Sequence, residues 1–559
     1  MRWQLSRPLQ VLAVLLGSLV FLVGCGLIPG APEPLGTETP SPTRTPLVSP
    51  TLSPSPAPTA TPAPTFPPYT TPDWFQNAFT YEIFVRSFAD TDGDGVGDLR
   101  GITENLAYLE ALRVEVIWLM PIYPSPSVHG YDVTDYRAVN PDYGTLEDLQ
   151  ELVSEAHKRE MKVILDFVPS HLSDQHPYFQ DAYQDPESPY SEWFVWTDEA
   201  HTSYAGFAGS EDMPRFNHYN PEVVEYLTGV ALTWMDLDDD GDYTDGIDGF
   251  RIDNATFPPI EFFESFRREV KAANPEVLLL GEAWVEDVYS LSRFYEHRFD
   301  ALFDFPLYAR LQGNHNFNAD GLLAGEGAPA LLTILFQEET EKYPPEAMAV
   351  RFLSNHDTNR IATEIGGDPA RKRLAPSLLA ALPGPVMVYY GEEIGMLGQK
   401  GGPPDWDNYR REPMDWYAAE EGRYQTTWFQ PLDRWNQPLD SISVEEQEDQ
   451  PDSLLNFYRN TFALRAEYPA LQNGTFEVVD LDASGGGTWG FIRSAQEESI
   501  LVLVNFSEES RNVSFSSDLL GSQDGLDLLT GEPVVVSENE LSLELSPASA
   551  AWVLLAEGD

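Results

Sequence analysis

The chain reads as an α/β protein: a (β/α)8 TIM barrel, with a small insertion domain after strand 3 and a C-terminal antiparallel β-sandwich. Three observations predict this. Eight short strand-like runs recur between residues 79 and 390, most of them followed by an amphipathic helical stretch. Carboxylates gather where several of those runs end, the edge at which a barrel presents its chemistry. After about Leu471 the helical pattern gives way to short apolar runs between Gly, Ser and Asp turns. An open doubly wound sheet is the rival to the barrel.

The elements follow in order. Residues 1–25 read as a targeting segment: Arg2 and Arg7 precede the apolar run Leu9–Val23, which is short for a membrane span. It ends Leu22-Val23-Gly24-Cys25, which resembles a bacterial lipobox. That resemblance implies an exported cell-surface lipoprotein, membrane-anchored through a lipidated Cys25; an ordinary secretory signal with an incidental Cys is the alternative. Residues 26–72 form a Pro/Thr/Ser-rich linker, with fifteen prolines between Pro29 and Pro72. Such a stretch cannot pack a core and suits an extended tether.

The body of the chain, the expected barrel, spans 73–471. Strands are expected at Phe79–Val85, Val114–Met120, Lys162–Val168, Ile247–Ile252, Val277–Leu280, Ala301–Phe305, Ala347–Leu353 and Val386–Tyr390. Helices are expected at Ile102–Leu112, Leu146–Arg159, Pro221–Met235 and Ile260–Ala273. Residues 169–220, rich in aromatics and turns, interrupt the third βα unit as an inserted domain B. The β-sandwich, 472–559, is expected to contain Gly474–Val479, Thr488–Arg493, Ser499–Phe506, Val513–Phe515 and Ala550–Leu555.

Composition narrows the function. Of the 559 residues 42% are hydrophobic, enough for a large core, which excludes global disorder. Ninety acids against 33 bases give a net charge of −57, which would repel a phosphate backbone and argues against nucleic acid as a partner. One cysteine cannot close an intramolecular disulfide.

The carboxylates carry the chemistry. Asp253 ends the run Gly249-Phe250-Arg251-Ile252-Asp253, and in a strand Arg251 shares its face and can keep it ionised. An ionised Asp in a pocket is a candidate nucleophile. Glu282 follows a strand in Gly281-Glu282-Ala283-Trp284, where partial desolvation beside an aromatic suits a general acid. Asp357 stands in Asn355-His356-Asp357 after another strand. Two unlike carboxyls about 5 Å apart suit glycoside hydrolysis with retained anomeric configuration.

The same residues resemble the α-amylase family, glycoside hydrolase family 13, over roughly residues 79–420 and in the right chain order. Asp166–His171 resembles the family's first short region, Gly249–Asp253 the second, Gly281–Trp284 the third and Asn355–Asp357 the fourth. His129-Gly130-Tyr131-Asp132, Tyr390–Met396 and Arg410–Met414 are also similar to family segments. Met213-Pro214-Arg215-Phe216-Asn217 resembles a region reading Met-Pro-Asp-Leu-Asn in the intermediate oligo-1,6-glucosidase/neopullulanase-like group, the secreted bacterial α-amylases of which are the most similar.

The resemblance implies that Asp253 is the nucleophile and Glu282 the acid/base, with Asp357 binding the hydroxyls of the sugar next to the scissile bond. It implies substrate contacts from Tyr81, His129, Tyr131, Asp132, His171, Arg251, Trp284, His356 and Arg411, with Tyr131 stacking on the sugar and Arg251 positioning Asp253. The expected activity is hydrolysis of α-1,4 bonds in starch and related α-glucans by a monomer. Exo-action, favoured if Asp132 and Arg411 clamp a terminal sugar, stays open, as do cyclomaltodextrinase/neopullulanase-type action, trehalose synthesis and a non-catalytic glucan-binding role.

Asp90-Thr-Asp92-Gly-Asp94-Gly-Val96-Gly-Asp98 alternates acids with glycines, a spacing that suits structural Ca²⁺. It resembles the family's first strand-loop calcium site, with Val96 giving its carbonyl. It is not an EF-hand, because position twelve is Gly101. For Asp236–Asp245, calcium and a solvated acidic loop both stay open. A different calcium site of the family is put in doubt by Ser170, which stands where the pattern has Asn; Arg215 in place of Asp is a second departure. No organic cofactor is expected.

Overall fold

The computed structural model describes residues 71–555 except 298, 315–318, 484–485, 497, 518–519, 521–523 and 538. The leader, the linker up to residue 70 and Cys25 lie outside the described residues. Eight parallel strands close into a barrel in the order β1-β8-β7-β6-β5-β4-β3-β2: β1 Phe79–Ile83, β2 Val116–Leu119, β3 Lys162–Phe167, β4 Gly249–Ile252, β5 Leu278–Gly281, β6 Ala301–Phe303, β7 Met348–Phe352 and β8 Val386–Tyr389. Each falls within or beside an expected run, and the closed ring removes the open-sheet rival.

Alternation along each strand divides the core in two. Val116, Trp118, Ile164, Leu278, Leu280, Phe303, Val350, Phe352 and Met387 fill the barrel interior. Tyr81, Ile83, Ile117, Leu119, Val163 and Leu165 face the surrounding helices.

Helices Pro221–Met235 and Ile260–Ala273 match expectation, and Leu146–His157 ends slightly early. The helix expected at Ile102–Leu112 is two pieces, Leu99–Glu104 and Leu106–Ala111. Asn105 breaks it: its backbone leaves the helical region and its Nδ2 donates to the Gly101 carbonyl at 2.8 Å.

Residues 169–220 form little regular structure beyond the helix Pro177–Ala182, short 3₁₀ turns and isolated bridges such as His171 with Arg215 and Trp196 with Tyr204. Aromatic packing takes the place of a sheet. Tyr178 stacks on Tyr190 at 4.1 Å and Phe179 on Trp196 at 5.6 Å.

The C-terminal part holds two antiparallel sheets. One has the order Thr475–Val478, Thr488–Ala495, Glu498–Asn505, Ser549–Leu555, Gly525–Asp527, Pro533–Val534. The other runs Asp482–Ala483, Arg511–Ser516, Glu540–Leu545, Val536–Ser537. Arg493 clasps this part to the barrel: it donates to the Ala381 carbonyl at 2.9 Å, at the C-terminus of the helix Pro369–Ala381, where a cation is favoured. Trp552 Nε1 donates to Ser377 in the same helix at 3.1 Å. Among the described residues no helix is long and apolar enough to cross a membrane.

Candidate active site

The site is built where β1, β3, β4, β5 and β7 end. In the β3–β4 register Asp166 lies beside Arg251, and in the β4–β5 register Arg251 lies beside Leu280, two residues short of Glu282. Arg251 thus reaches acids on three neighbouring strands. Its Nη1 donates to Asp166 Oδ1 and Asp253 Oδ1, both at 2.9 Å, and its Nη2 pairs with Glu282 Oε1 at 2.7 Å. The guanidinium is 1% exposed and lies over Trp118 in the barrel interior. The other oxygen of Glu282 accepts from the Asn254 amide at 3.1 Å.

One positive charge is therefore divided among three buried carboxyls. Arg251 alone would keep Asp253 ionised, but burial pushes its carboxyl well up, and Glu282 and Asp166 add to the rise against the pull of Arg251. Burial raises Asp166 as well, again against Arg251. Burial thus outweighs the shared guanidinium at both Asp166 and Asp253.

Asp357 is held differently. Its Oδ1 accepts from Arg411 Nη2 at 2.8 Å and its Oδ2 lies 3.1 Å from His356 Nε2. Burial opposes ionisation, but His356 and Arg411 outweigh it and hold the carboxyl far below the usual range. Tyr131 closes the ring of groups. Its hydroxyl donates to Asp166 Oδ2 at 3.0 Å and lies 2.7 Å from His356 Nε2, its ring parallel to the imidazole.

Of the remaining expected contacts, His171 is buried with Nε2 unbonded and Nδ1 2.6 Å from Ser170 Oγ; burial lowers it to about 3, so the ring is neutral. His129 Nδ1 accepts the Tyr131 amide at 3.1 Å. Trp284 is 42% exposed and stacks on Phe305 at 4.8 Å, leaving ring surface open to a ligand.

One expectation needs correction. Tyr81 does not face the site. It belongs to the outer layer of the core, where its hydroxyl donates to Glu393 Oε1 at 2.7 Å, because strand alternation turns it away while its neighbour Glu82 turns in. Asp132 and Arg411 are each held by other groups. Asp132 Oδ1 accepts from Ser125 and Ser127, while Arg411 is engaged by Asp357.

Two functional groups were not singled out from the sequence. Asp166 opens the motif Asp166–His171. Glu82 was marked only by being an acid inside the strand Phe-Thr-Tyr-Glu-Ile, and its Oε1 lies 2.6 Å from His356 Nδ1.

Asp90, Asp92 and Asp98 bring carboxylate oxygens within 4.8 Å of one another, with Asp90 and Asp98 buried. Asp94 is not in this group; its Oδ1 accepts from the Val96 amide at 2.8 Å. Asp236, Asp238 and Asp240 converge as closely but are more exposed. The Arg215 guanidinium lies 4.4 Å over the Phe257 ring.

Acids from successive strand ends of a closed barrel, gathered on one arginine, define a barrel hydrolase of sugars. The family described as alpha amylase, catalytic domain, matches residues 82–474. Alpha-amylase 3 of Dictyoglomus thermophilum is 34% identical over 466 residues, covering 80% of this chain and 88% of its own. Neopullulanase 2 of Thermoactinomyces vulgaris is 32% identical, covering 86% and 78%. The crystal structure of alpha-amylase from H. orenii superposes with a TM-score of 0.74 at 32% identity, covering 87% of this chain and 100% of that one. The chain belongs to the alpha-amylase family of glycoside hydrolases.

Proposed function

We propose that the protein hydrolyses α-1,4-glucosidic bonds within starch-like glucans, retaining anomeric configuration. The observation that carries this is the single buried guanidinium shared by Asp166, Asp253 and Glu282. Asp253 attacks the anomeric carbon while Glu282 gives its proton to the departing glycosidic oxygen. The C–O bond breaks, and a glycosyl ester forms on Asp253. Glu282, now a carboxylate, takes a proton from water; the oxygen of that water attacks the same carbon, and Asp253 leaves as carboxylate. Asp357 and the unbonded His171 nitrogen bind hydroxyls of the reacting sugar, and Tyr131 lies against its apolar face.

Internal cleavage is the preferred reading; exo-action on a terminal sugar gripped by Asp132 and Arg411 is the alternative. Names among the relatives, alpha-amylase and neopullulanase, support an α-glucan substrate.

The test is Asp253→Asn and Glu282→Gln on soluble starch. Each should lose about three orders of magnitude or more in kcat, some 4 kcal/mol of barrier. NMR of fresh parent product should show the α-anomer first. Wild-type rates in both variants, or a β-anomer first, would refute the assignment.

A structural Ca²⁺ held by Asp90, Asp92 and Asp98 is part of the same reading, supported by their convergence and burial. Export with a lipid on Cys25 is supported by the leader sequence.

A further inference from the structure

Glu82 and His356 are both buried within the barrel mouth. Glu82 Oε1 lies 2.6 Å from His356 Nδ1, while its Oε2 has no hydrogen-bond partner. On the far side of the ring, Nε2 lies 2.7 Å from the Tyr131 hydroxyl and 3.1 Å from Asp357 Oδ2. The Trp118 ring meets the imidazole edge-on at 5.7 Å, so the ring is fixed by packing as well. Leaving a carboxylate inside a barrel is costly unless its charge is used.

We propose that Glu82 is a positioning residue. It holds a proton on His356 Nδ1 and orients the ring, so that Nε2 donates into the cleft beside Tyr131 and Asp357. This rests on the hydrolase reading, because Asp357 and His356 matter only if a sugar lies against them.

The surroundings are consistent from every side. From β1 comes Glu82, from the loop after β2 Tyr131, and from β3 Asp166 through the Tyr131 hydroxyl. Burial raises the Glu82 carboxyl above its ordinary range, while His356 and, from β4, Arg251 pull it back toward ionisation. Beyond β7 stands Asp357, from β8 the Tyr389 phenol faces Glu82, and Arg411 donates from Nε to the His356 carbonyl at 3.1 Å. Burial disfavours a charged imidazole, but Asp357 and Glu82 outweigh it and push His356 up to about 10. Neutral Gln at position 82 keeps the shape and removes one of those two charges.

The experiment compares parent and Glu82→Gln on a 4-nitrophenyl maltooligosaccharide across pH. His356 should lose its proton within the assay range only in the variant, so the parent-to-variant ratio of kcat/KM should grow about tenfold or more from pH 6 to pH 9. A ratio constant with pH would overturn the proposal, because a merely structural residue gives a uniform loss. A second measurement needs neither substrate nor that variant to fold. In parent protein labelled with ¹⁵N-histidine, one imidazole should keep both protons at pH 9, and that signal should vanish in His356→Asn. Its absence from the parent would overturn the proposal even if starch is cleaved. Its presence supports the proposal even if no glucan is cleaved, in which case the hydrolase reading alone falls.

Discussion

Arg251 shows how one side chain can organise three acids. Its fork binds Asp166 and Asp253 through one nitrogen and Glu282 through the other, which a point-charge lysine could not match. Removing it leaves three buried carboxyls without a cation. Arg251→Met should therefore abolish activity and lower stability at neutral pH by about 3–5 kcal/mol. The sign of the pH effect follows from the same charges. Burial already raises Asp166 and Asp253, and loss of the guanidinium raises them further. A raised acid penalises the fold when ionised and is relieved when protonated. The deficit against the parent in urea unfolding should shrink as pH falls from 7 to 5; a deficit that widens would refute this account. At this scale the sequence was informative about Asp253, Glu282 and Asp357, because each follows an apolar run within a short motif. It was uninformative about which face of β1 points inward. A strand's period of two makes Tyr81 and Glu82 opposite in fate: Phe-Thr-Tyr-Glu-Ile alternates, but its apolar face packs on the helices while Glu82 turns into the barrel, and spacing alone does not say which face is which.

At the level of elements, legibility followed burial on both faces. The barrel strands are nearly continuous apolar runs and were all found; the C-terminal strands Gly525–Asp527 and Glu540–Leu545 were not. Glu-Leu-Ser-Leu-Glu-Leu alternates, and its burial alternates with it, Leu541 and Leu545 being buried. Its pairing with Arg511–Ser516, Val513 opposite Leu543, was invisible from spacing alone. The Asp90–Asp98 loop was legible as a candidate cation site from its acid–glycine rhythm. The structure adds what it joins. Asp90 donates its amide to the Tyr424 carbonyl at 3.0 Å, and Thr427 donates to Gly95 at 2.8 Å, so the loop ties the end of β1 to the segment beyond β8. Gly95 is required there, with φ of +93° and its missing Cβ facing Thr427. The calcium proposed for this loop would hold both segments. EDTA should lower Tm by several degrees, about what loss of 1–3 kcal/mol produces, and added Ca²⁺ should restore it. Asp92→Asn should have a lower Tm that responds less to EDTA. An unchanged Tm in the parent would remove calcium from the loop.

Across the whole molecule the charge is strongly one-sided, −57 over 559 residues. Some buried acids are matched, as Asp300 is by Arg267 and Lys271 and Asp304 by Arg351, and among the described residues most acids are not buried, so the excess resides mostly on the surface. Exposed attractive pairs are each worth little, about 0–1 kcal/mol. Repulsion among many like charges acts over the Debye length, about 10 Å at 0.1 M salt and about 3 Å at 1 M. Net repulsion should therefore dominate at low ionic strength and strain the compact state. With calcium kept saturating, so that weaker metal binding does not mask the effect, Tm should rise as NaCl is increased from 0.05 M to 1 M. Choline chloride at equal ionic strength should raise it similarly, since screening depends on ionic strength rather than on the cation. A Tm that falls with both salts would mean that surface ion pairs outweigh repulsion. A rise with NaCl alone would point to specific sodium sites instead of a screened field.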